Sequence, residues 1–155
     1  MNKNIKKAFG KGKAFIPFIT CGDPSLEVIE RIVYAMEEAG ADLIELGIPF
    51  SDPTAEGPVI QAANVRALSG GVTTDKIFDM VRRIRQKTSI PMVFMTYANV
   101  VYSYGTERFA KAAAEIGMDG LILPDVPFEE HGLDLISLIA PTSHERIAMI
   151  AKEAE

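Results

Sequence analysis

The sequence predicts an α/β fold in which helices cover a parallel β-sheet. Two observations support this prediction: short apolar runs alternate with segments of helical periodicity, and the runs are apolar throughout instead of alternating with polar residues. Continuous apolar runs are typical of parallel strands, which are buried on both faces. The pattern is compatible with an open doubly wound sheet and with a (β/α) barrel.

Five apolar runs are the predicted strands. They are Ala14–Thr20, Leu43–Ile48, Pro91–Tyr97, Gly120–Leu123 and Leu133–Ile139. A faint internal repeat supports two of them, because Gly40-Ala41-Asp42 precedes the second run and Gly117-Met118-Asp119 precedes the fourth. In the register of this repeat Glu45 aligns with Ile122, so the scaffold accepts an apolar residue where this carboxylate stands.

Four helices are predicted between and after these runs. We expect the first to begin with Asp23 as N-cap and Pro24 at its first helical position, and to end at Gly40. The other three combine apolar residues at helical spacing with capping residues, and they follow Thr74, Thr106 and a capping box of Thr142 and Glu145.

The composition predicts a single domain over residues 1–155, because 155 residues with 48% hydrophobic side chains can bury one core. A net charge of −5 argues against a nucleic-acid partner. We expect neither a signal peptide nor a membrane span, since no apolar run is suitable for either. The one cysteine, Cys21, fits a reducing cytosol, and we expect it to be a small core residue. A cytoplasmic location without a membrane partner is therefore predicted.

Glu45 is the residue that points most directly to chemistry. It lies within the apolar run Leu43–Ile48, where an ionised carboxylate is costly to desolvate unless it has a raised pKa, a partner or a function. Ligands of parallel α/β proteins gather at the carboxyl ends of the strands, and Glu56 follows the same run. These two carboxylates beside apolar walls predict acid–base catalysis.

Other chemistries have less support from the residues at the strand ends. They include no lysine for a Schiff base, and His131 and His144 lack ligand-like spacing, so we expect both histidines in solvent and no metal. Structural roles stay open for the loop residues, because Asp52-Pro53 is a common turn pair and Glu56-Gly57-Pro58 can begin a helix. Tyr97 is also compatible with an ordinary amphipathic residue at a strand end.

Four motifs in this order resemble those of the tryptophan synthase alpha subunit. They are Glu45-Leu46-Gly47-Ile48-Pro49-Phe50-Ser51-Asp52-Pro53, Ala55-Glu56-Gly57-Pro58-Val59-Ile60-Gln61, Met95-Thr96-Tyr97-Ala98-Asn99 and Pro124-Asp125-Val126-Pro127. The resemblance covers nearly the whole chain. It implies a partial (β/α)8 TIM-type barrel with about five parallel strands and flanking helices.

The resemblance also implies an activity. Family members are lyases that cleave indole-3-glycerol phosphate to indole and glyceraldehyde 3-phosphate by a retro-aldol step, late in L-tryptophan biosynthesis. They pass the indole to a tryptophan synthase beta subunit that holds pyridoxal phosphate. For this chain, the resemblance therefore implies a beta-subunit partner and no cofactor of its own.

Individual roles follow from the same resemblance. Glu45 matches the glutamate that moves protons between the indole ring carbon and the glycerol hydroxyl group. Glu56 stands where the family typically has an aspartate that holds the indole N–H, and its side chain is one methylene longer. The positions around the indole match Phe18, Met95, Tyr97 and Ile122. The loops that face the beta subunit match Ser51, Asp52, Pro53, Asn99 and Tyr102.

The sequence also departs from the family. A complete barrel takes about 250 residues and forms its phosphate site after strands seven and eight, whereas this sequence ends after the predicted fifth strand and its helix. The link from Pro124 to Gly132 is too short for a crossover with its helix, which predicts an internal deletion. We expect the chain alone to be a poor enzyme or none; the alternative is a non-catalytic half-barrel that self-associates through open sheet edges or binds a beta subunit.

Overall fold

The computed structural model describes residues 2–125, 135–139, 142, 144 and 146–153. These residues form a parallel sheet whose strands are β1 (Phe18–Thr20), β2 (Ile44–Gly47), β3 (Met92–Met95) and β4 (Gly120–Ile122). The helices are α1 (Lys3–Ala8), α2 (Leu26–Glu38), α3 (Pro58–Ser69), α4 (Thr74–Arg85), α5 (Ala98–Tyr104), α6 (Thr106–Glu115) and α7 (Ile147–Glu153).

The strands follow one another across the sheet in the order β1-β2-β3-β4, and every neighbouring pair is parallel. Doubly wound sheets reverse the strand order at the point where they bind ligands, while a (β/α) barrel adds each strand on the same side. The parallel α/β sheet is therefore confirmed, and its strand order agrees with the barrel.

The stagger between strands supports the same architecture. The hydrogen-bonding register aligns Glu45 of β2 with Val93 of β3 and Gly120 of β4. The internal repeat instead aligns Glu45 with Ile122, which lies two residues further along β4. A (β/α)8 barrel with a shear of 8 offsets equivalent positions by about one residue per strand. The step from β2 to β4 crosses two strands, so this stagger accounts for the offset of two residues between Gly120 and Ile122.

The two faces of the sheet have different apolar partners. Leu46 and Phe94 belong to a large core that includes apolar residues of α2, α4 and α6. The opposite face carries Leu43 and Val93, which belong to a smaller cluster with Ile5 of α1. This second face corresponds to the inside of the barrel, and we call it the interior face.

A buried polar network fastens the amino edge of the sheet. Asp119, directly before β4, accepts hydrogen bonds from Arg85 Nη2 at 2.9 Å, Asn4 Nδ2 at 2.8 Å and the Met92 amide at 3.0 Å. Burial lowers the pKa of Arg85, and the Asp119 carboxylate opposes that shift. Because Asn4 anchors α1 at the amino edge, α1 does not cover the carboxyl edge.

The beginning of α2 differs from the prediction. Ser25, not Asp23, is the N-cap, and its hydroxyl group accepts a hydrogen bond from the Val28 amide at 3.4 Å. The Asp23 carboxylate instead accepts hydrogen bonds from Arg66 Nε at 2.9 Å and Nη2 at 2.6 Å. It therefore pairs with a side chain of α3 and does not cap α2. The predicted end is confirmed, since Gly40 follows α2 with a φ of 96°, which favours glycine.

The predicted fifth strand is wrong over residues 136–139, where the structure contains no strand. Leu135 makes a single parallel bridge with Leu121, and the Ile136 amide donates to the Leu121 carbonyl at 2.8 Å. Twelve residues, 123–134, separate β4 from this bridge, whereas residues 96–119 connect β3 to β4 through two helices. Among the described residues, the pairing with β4 is limited to this one bridge. Residues 133 and 134 lie outside the described part.

The helices show further differences. α1 and α5 are not predicted, because helices of six and seven residues carry too little periodicity to be recognised. α3 confirms that Glu56-Gly57-Pro58 begins a helix, with Gly57 as N-cap. α7 begins at Ile147, so Thr142 is not its N-cap, and Glu145 lies outside the described residues.

Candidate active site

Glu45 lies on the interior face of the sheet. Its neighbours Ile44 and Leu46 are fully buried in the helix-covered core, and side chains alternate along a strand, so Glu45 projects to the opposite face. Its side chain is half-buried and has no hydrogen bond or ion pair within the part of the chain that the structure describes. Desolvation raises the pKa of this carboxyl group. The group is therefore suited both to donate and to accept a proton.

Apolar side chains surround Glu45 on this face. Phe18 and Val93 occupy the same level of the sheet, on the two neighbouring strands. Met95 and Ile122 lie one step nearer the carboxyl edge and are aligned with each other. The structure thus brings Phe18, Met95 and Ile122 to the same face as Glu45.

Gly47 provides space for the ring of Phe18. A Cβ atom at Gly47 would lie only 2.5 Å from Cζ of Phe18, a separation that side chains do not tolerate. Gly47 is the next interior-facing position of β2 after Glu45. Any larger residue there would displace the aromatic wall beside Glu45.

Tyr97 connects the second predicted carboxylate to the sheet. It directly precedes α5 and is buried, with 3% exposure. Its hydroxyl group donates a hydrogen bond to Glu56 Oε2 and accepts one from the Ala55 amide at 2.9 Å. Burial, followed by the hydrogen bond to Glu56, raises the pKa of Tyr97. Glu56 therefore lies at the carboxyl edge, held from the end of β3.

Two residues that order this edge have structural contacts which the sequence pattern does not reveal. The Thr96 hydroxyl group donates to the Ile48 carbonyl at 3.3 Å, and the Thr96 amide donates to the Ile122 carbonyl at 3.1 Å. The Asp125 carboxylate accepts from the Ala98 amide at 3.0 Å and so caps α5. A threonine at a strand end and an aspartate after a strand are the available sequence signals, but neither identifies its partner.

The predicted partner-facing residues lie in the loop after β2 and on α5. Ser51, Asp52, Asn99 and Tyr102 are exposed, and Pro53 is half-buried. Asn99 also lines an open cleft of about 380 Å³ between this loop, the start of α4 and α5. Four of these five positions are thus accessible, and their role in contacting a partner stays a prediction.

Other candidates have ordinary environments. Cys21 is confirmed as a core residue, and burial raises the pKa of its thiol to about 12. His144 is exposed as expected, while His131 lies outside the described residues. Among the described residues, no cluster of three or more histidine, cysteine or acidic side chains is suitable for a metal ion. No helix in the same part is both long and apolar enough to cross a membrane.

A family model described as tryptophan synthase alpha chain matches residues 4–155. The chain belongs to the tryptophan synthase alpha chain family. A relative from Alkaliphilus metalliredigens is 51% identical over 153 aligned positions, and the alignment covers 92% of this chain and 58% of that relative. The chain therefore spans about three fifths of the length of the curated relatives that it matches.

Solved structures of family members support the fold. The tryptophan synthase alpha chain of Legionella pneumophila superposes with a TM-score of 0.87 at 39% identity, over 100% of this chain and 64% of that chain. A chain of the tryptophan synthase complex from Pyrococcus furiosus gives 0.84 at 36% identity, over 90% and 62%. The fold is a partial TIM-type (β/α)8 barrel.

One alignment contains positions that this chain lacks. The tryptophan synthase alpha chain of Shouchella clausii is 48% identical over 166 aligned positions, covering 100% of this chain and 62% of the relative. Because the chain has only 155 residues, at least 11 of those positions have no counterpart in it. The predicted internal deletion stays a prediction, because most of the link from Pro124 to Gly132 lies outside the described residues.

Proposed function

We propose that this chain supplies the acid–base groups for cleavage of indole-3-glycerol phosphate to indole and glyceraldehyde 3-phosphate. The observation that carries the proposal is the position of Glu45, a carboxyl group of raised pKa on the apolar interior face. Family membership supports the substrate, since the relatives are tryptophan synthase alpha chains.

In the proposed reaction, the bond between the indole ring and the glycerol side chain breaks. Glu45 donates a proton to the indole ring carbon and accepts the proton of the glycerol hydroxyl group, which becomes the aldehyde. The electron pair of the broken bond returns to the indole ring through a positively charged indolenine. Because burial raises the pKa of Glu45, both protonation states are accessible during the cycle.

Glu56 is proposed to accept a hydrogen bond from the indole N–H and to stabilise the positive charge that develops there. It is half-buried at the carboxyl edge, and Tyr97 already holds one of its oxygen atoms. The apolar side chains of Phe18, Met95 and Ile122 are proposed to contact the indole ring. A planar aromatic ring suits this wall because all three of these side chains are uncharged and apolar.

A tryptophan synthase beta subunit is the proposed partner. A solved relative belongs to a tryptophan synthase complex from Pyrococcus furiosus, described as α2β2. The proposed contact surface is formed by Ser51, Asp52, Pro53, Asn99 and Tyr102. Pyridoxal phosphate is assigned to that partner and no cofactor to this chain, and a cytoplasmic location fits this biosynthetic step.

Indole release from indole-3-glycerol phosphate at high enzyme concentration tests the function. We expect the 155-residue chain to release indole above the buffer rate, but at least about 100-fold more slowly than a full-length relative, because it spans about three fifths of that length and Glu56 is one methylene longer than the aspartate typical of the family. Glu45→Gln should reduce release to the buffer rate with an unchanged circular dichroism spectrum. Glu38→Gln, at an exposed position of α2, is the matched control. Unreduced release by Glu45→Gln, or none by the unsubstituted chain, would contradict the proposal.

A second candidate is a half-barrel module that self-associates. The observation that favours it is the position of β1, which is the edge strand of the sheet within the described residues. Phe15, three residues before β1, is an aromatic side chain with 60% exposure. An open strand edge flanked by apolar surface is a template for pairing with another chain.

A further inference from the structure

The hydroxyl group of Tyr97 forms hydrogen bonds to both the backbone and the side chain of the loop that carries Glu56. It accepts from the Ala55 amide at 2.9 Å and donates to Glu56 Oε2. The ring of Tyr97 lies against Phe50, with 5.3 Å between ring centroids. The hydroxyl group therefore uses its donor and an acceptor position on adjacent residues of one loop.

The same loop is held from α3. Gln61 Nε2 donates to the Glu56 carbonyl at 2.8 Å, which fixes the backbone at Glu56. Glu56 Oε1, in contrast, has no hydrogen-bond partner among the residues that the structure describes. One carboxylate oxygen is thus anchored while the other is available to a ligand.

Tyr97 itself is anchored to the sheet. The preceding residue, Thr96, contacts the carbonyl groups of Ile48 and Ile122, so it connects the carboxyl ends of β2, β3 and β4. Tyr97 is covalently bonded to Thr96, so the residue whose hydroxyl group holds the Glu56 carboxylate is fixed by the hydrogen bonds of Thr96 to β2 and β4. Groups held from rigid elements keep their orientation better than groups held only by a loop.

We propose that Tyr97 is a positioning residue, which fixes the Glu56 carboxylate so that Oε1 faces the N–H group of an indole ring. This role rests on the proposed function. It also explains how a glutamate can act at a position where the family typically has an aspartate. The added methylene gives the side chain another rotatable bond, and the hydrogen bond from Tyr97 restricts it.

The first experiment measures the hydrogen bond without any substrate. Tyrosine labelled at Cζ with carbon-13 is titrated by NMR, and the Tyr97 resonance is assigned by its loss in Tyr97→Phe. We expect Glu56→Gln to lower the pKa of Tyr97, because the neighbouring negative charge is removed. Glu30→Gln is the matched control, since Glu30 accepts a hydrogen bond from a different tyrosine, Tyr34, at 3.2 Å. An identical Tyr97 titration in Glu56→Gln would overturn the proposal.

The second experiment measures the role in catalysis. Tyr97→Phe retains the ring and removes the hydroxyl group, so we expect kcat for indole release to fall by at least about 10-fold with little change in KM. Adding Tyr97→Phe to Glu56→Gln should cause little further loss, because Tyr97 acts through Glu56. Tyr34→Phe removes the hydroxyl group of the other tyrosine–glutamate pair and should leave kcat unchanged.

The two experiments separate the possible failures. The positioning role would be overturned if the losses of kcat caused by Tyr97→Phe and by Glu56→Gln multiplied in the double variant. An unchanged kcat in Tyr97→Phe would also overturn it. Absence of indole release in the unsubstituted chain would overturn the proposed function and the catalytic role of Tyr97 with it. A shifted Tyr97 titration in that case would still establish the hydrogen bond to Glu56.

Discussion

The carboxyl group of Glu45 affects stability as well as chemistry. Its pKa is raised above the ordinary value of 4.5 by desolvation, so the folded chain binds a proton more tightly than the unfolded chain. Between the ordinary pKa and the folded pKa, the folded state therefore holds more protons. The contribution of Glu45 to the free energy of unfolding consequently falls as the pH rises through this window.

We therefore predict that Glu45→Gln is more stable than the unsubstituted chain at neutral pH. The difference should shrink toward zero below about pH 4, where Glu45 is protonated in both states. Urea unfolding at several pH values measures it, with Glu38→Gln as the exposed control. Equal or lower stability of Glu45→Gln at neutral pH would show that burial does not oppose ionisation at this position.

At the scale of single residues, the sequence predicts the environment of a side chain better than it predicts which residue that side chain contacts. Glu45 and Cys21 are recognisable because a polar or small residue within an apolar run has few possible environments. The contact between Tyr97 and Glu56 joins residues 41 positions apart, and Asp23 meets Arg66 over 43 positions. Such pairs depend on how the elements come together. A local pattern cannot reveal them.

The elements of the amino edge depend on one buried ion pair. Asp119 and Arg85 are 5% and 17% exposed at the side chain, and Asp119 also binds Asn4 and the Met92 amide. Removing one partner of a buried pair leaves the other charge uncompensated, which is more costly than losing an exposed pair.

We predict that Asp119→Ala lowers the free energy of unfolding by about 3–5 kcal/mol. Asp79→Ala removes an exposed ion pair with Arg82 on α4 and should cost less than about 1 kcal/mol. Chemical denaturation of both variants measures the difference. A similar small loss in both would mean that the network at Asp119 contributes little to holding the amino edge.

Element prediction succeeds where an apolar run and its flanking residues agree. The runs that become β2 and β3 are recognised because they are buried on both faces. The start of α2 is misplaced because Asp23 and Ser25 are both good caps, and the choice depends on Arg66 of α3. Similarly, α5 is capped by Asp125, 27 residues away in the chain.

At the scale of the whole molecule, both sides of the described sheet carry exposed apolar residues. Phe15 precedes β1, while Leu138 and Ile139 follow the bridge beside β4 and are 52% and 44% exposed. A sheet that is closed into a barrel has no edges, whereas β1 is an edge strand of the sheet within the described residues. Association of chains would bury this surface.

We accordingly predict that the purified chain has a mass above the monomer value of 16.9 kDa in size-exclusion chromatography with light scattering. Phe15→Lys should weaken this association, because a lysine at a strand edge opposes pairing. Val59→Lys changes an apolar residue on α3 that is still more exposed and should have little effect. A monodisperse monomer over a wide range of concentration would contradict self-association.

The most direct test of the acid–base role is the ionisation of Glu45 itself. Glutamate labelled at Cδ with carbon-13 is titrated by NMR in the complete chain, and Glu45→Gln identifies the resonance. A midpoint clearly above the ordinary value of 4.5 is predicted. A midpoint at or below 4.5 would contradict the raised proton affinity on which the proposed catalysis depends.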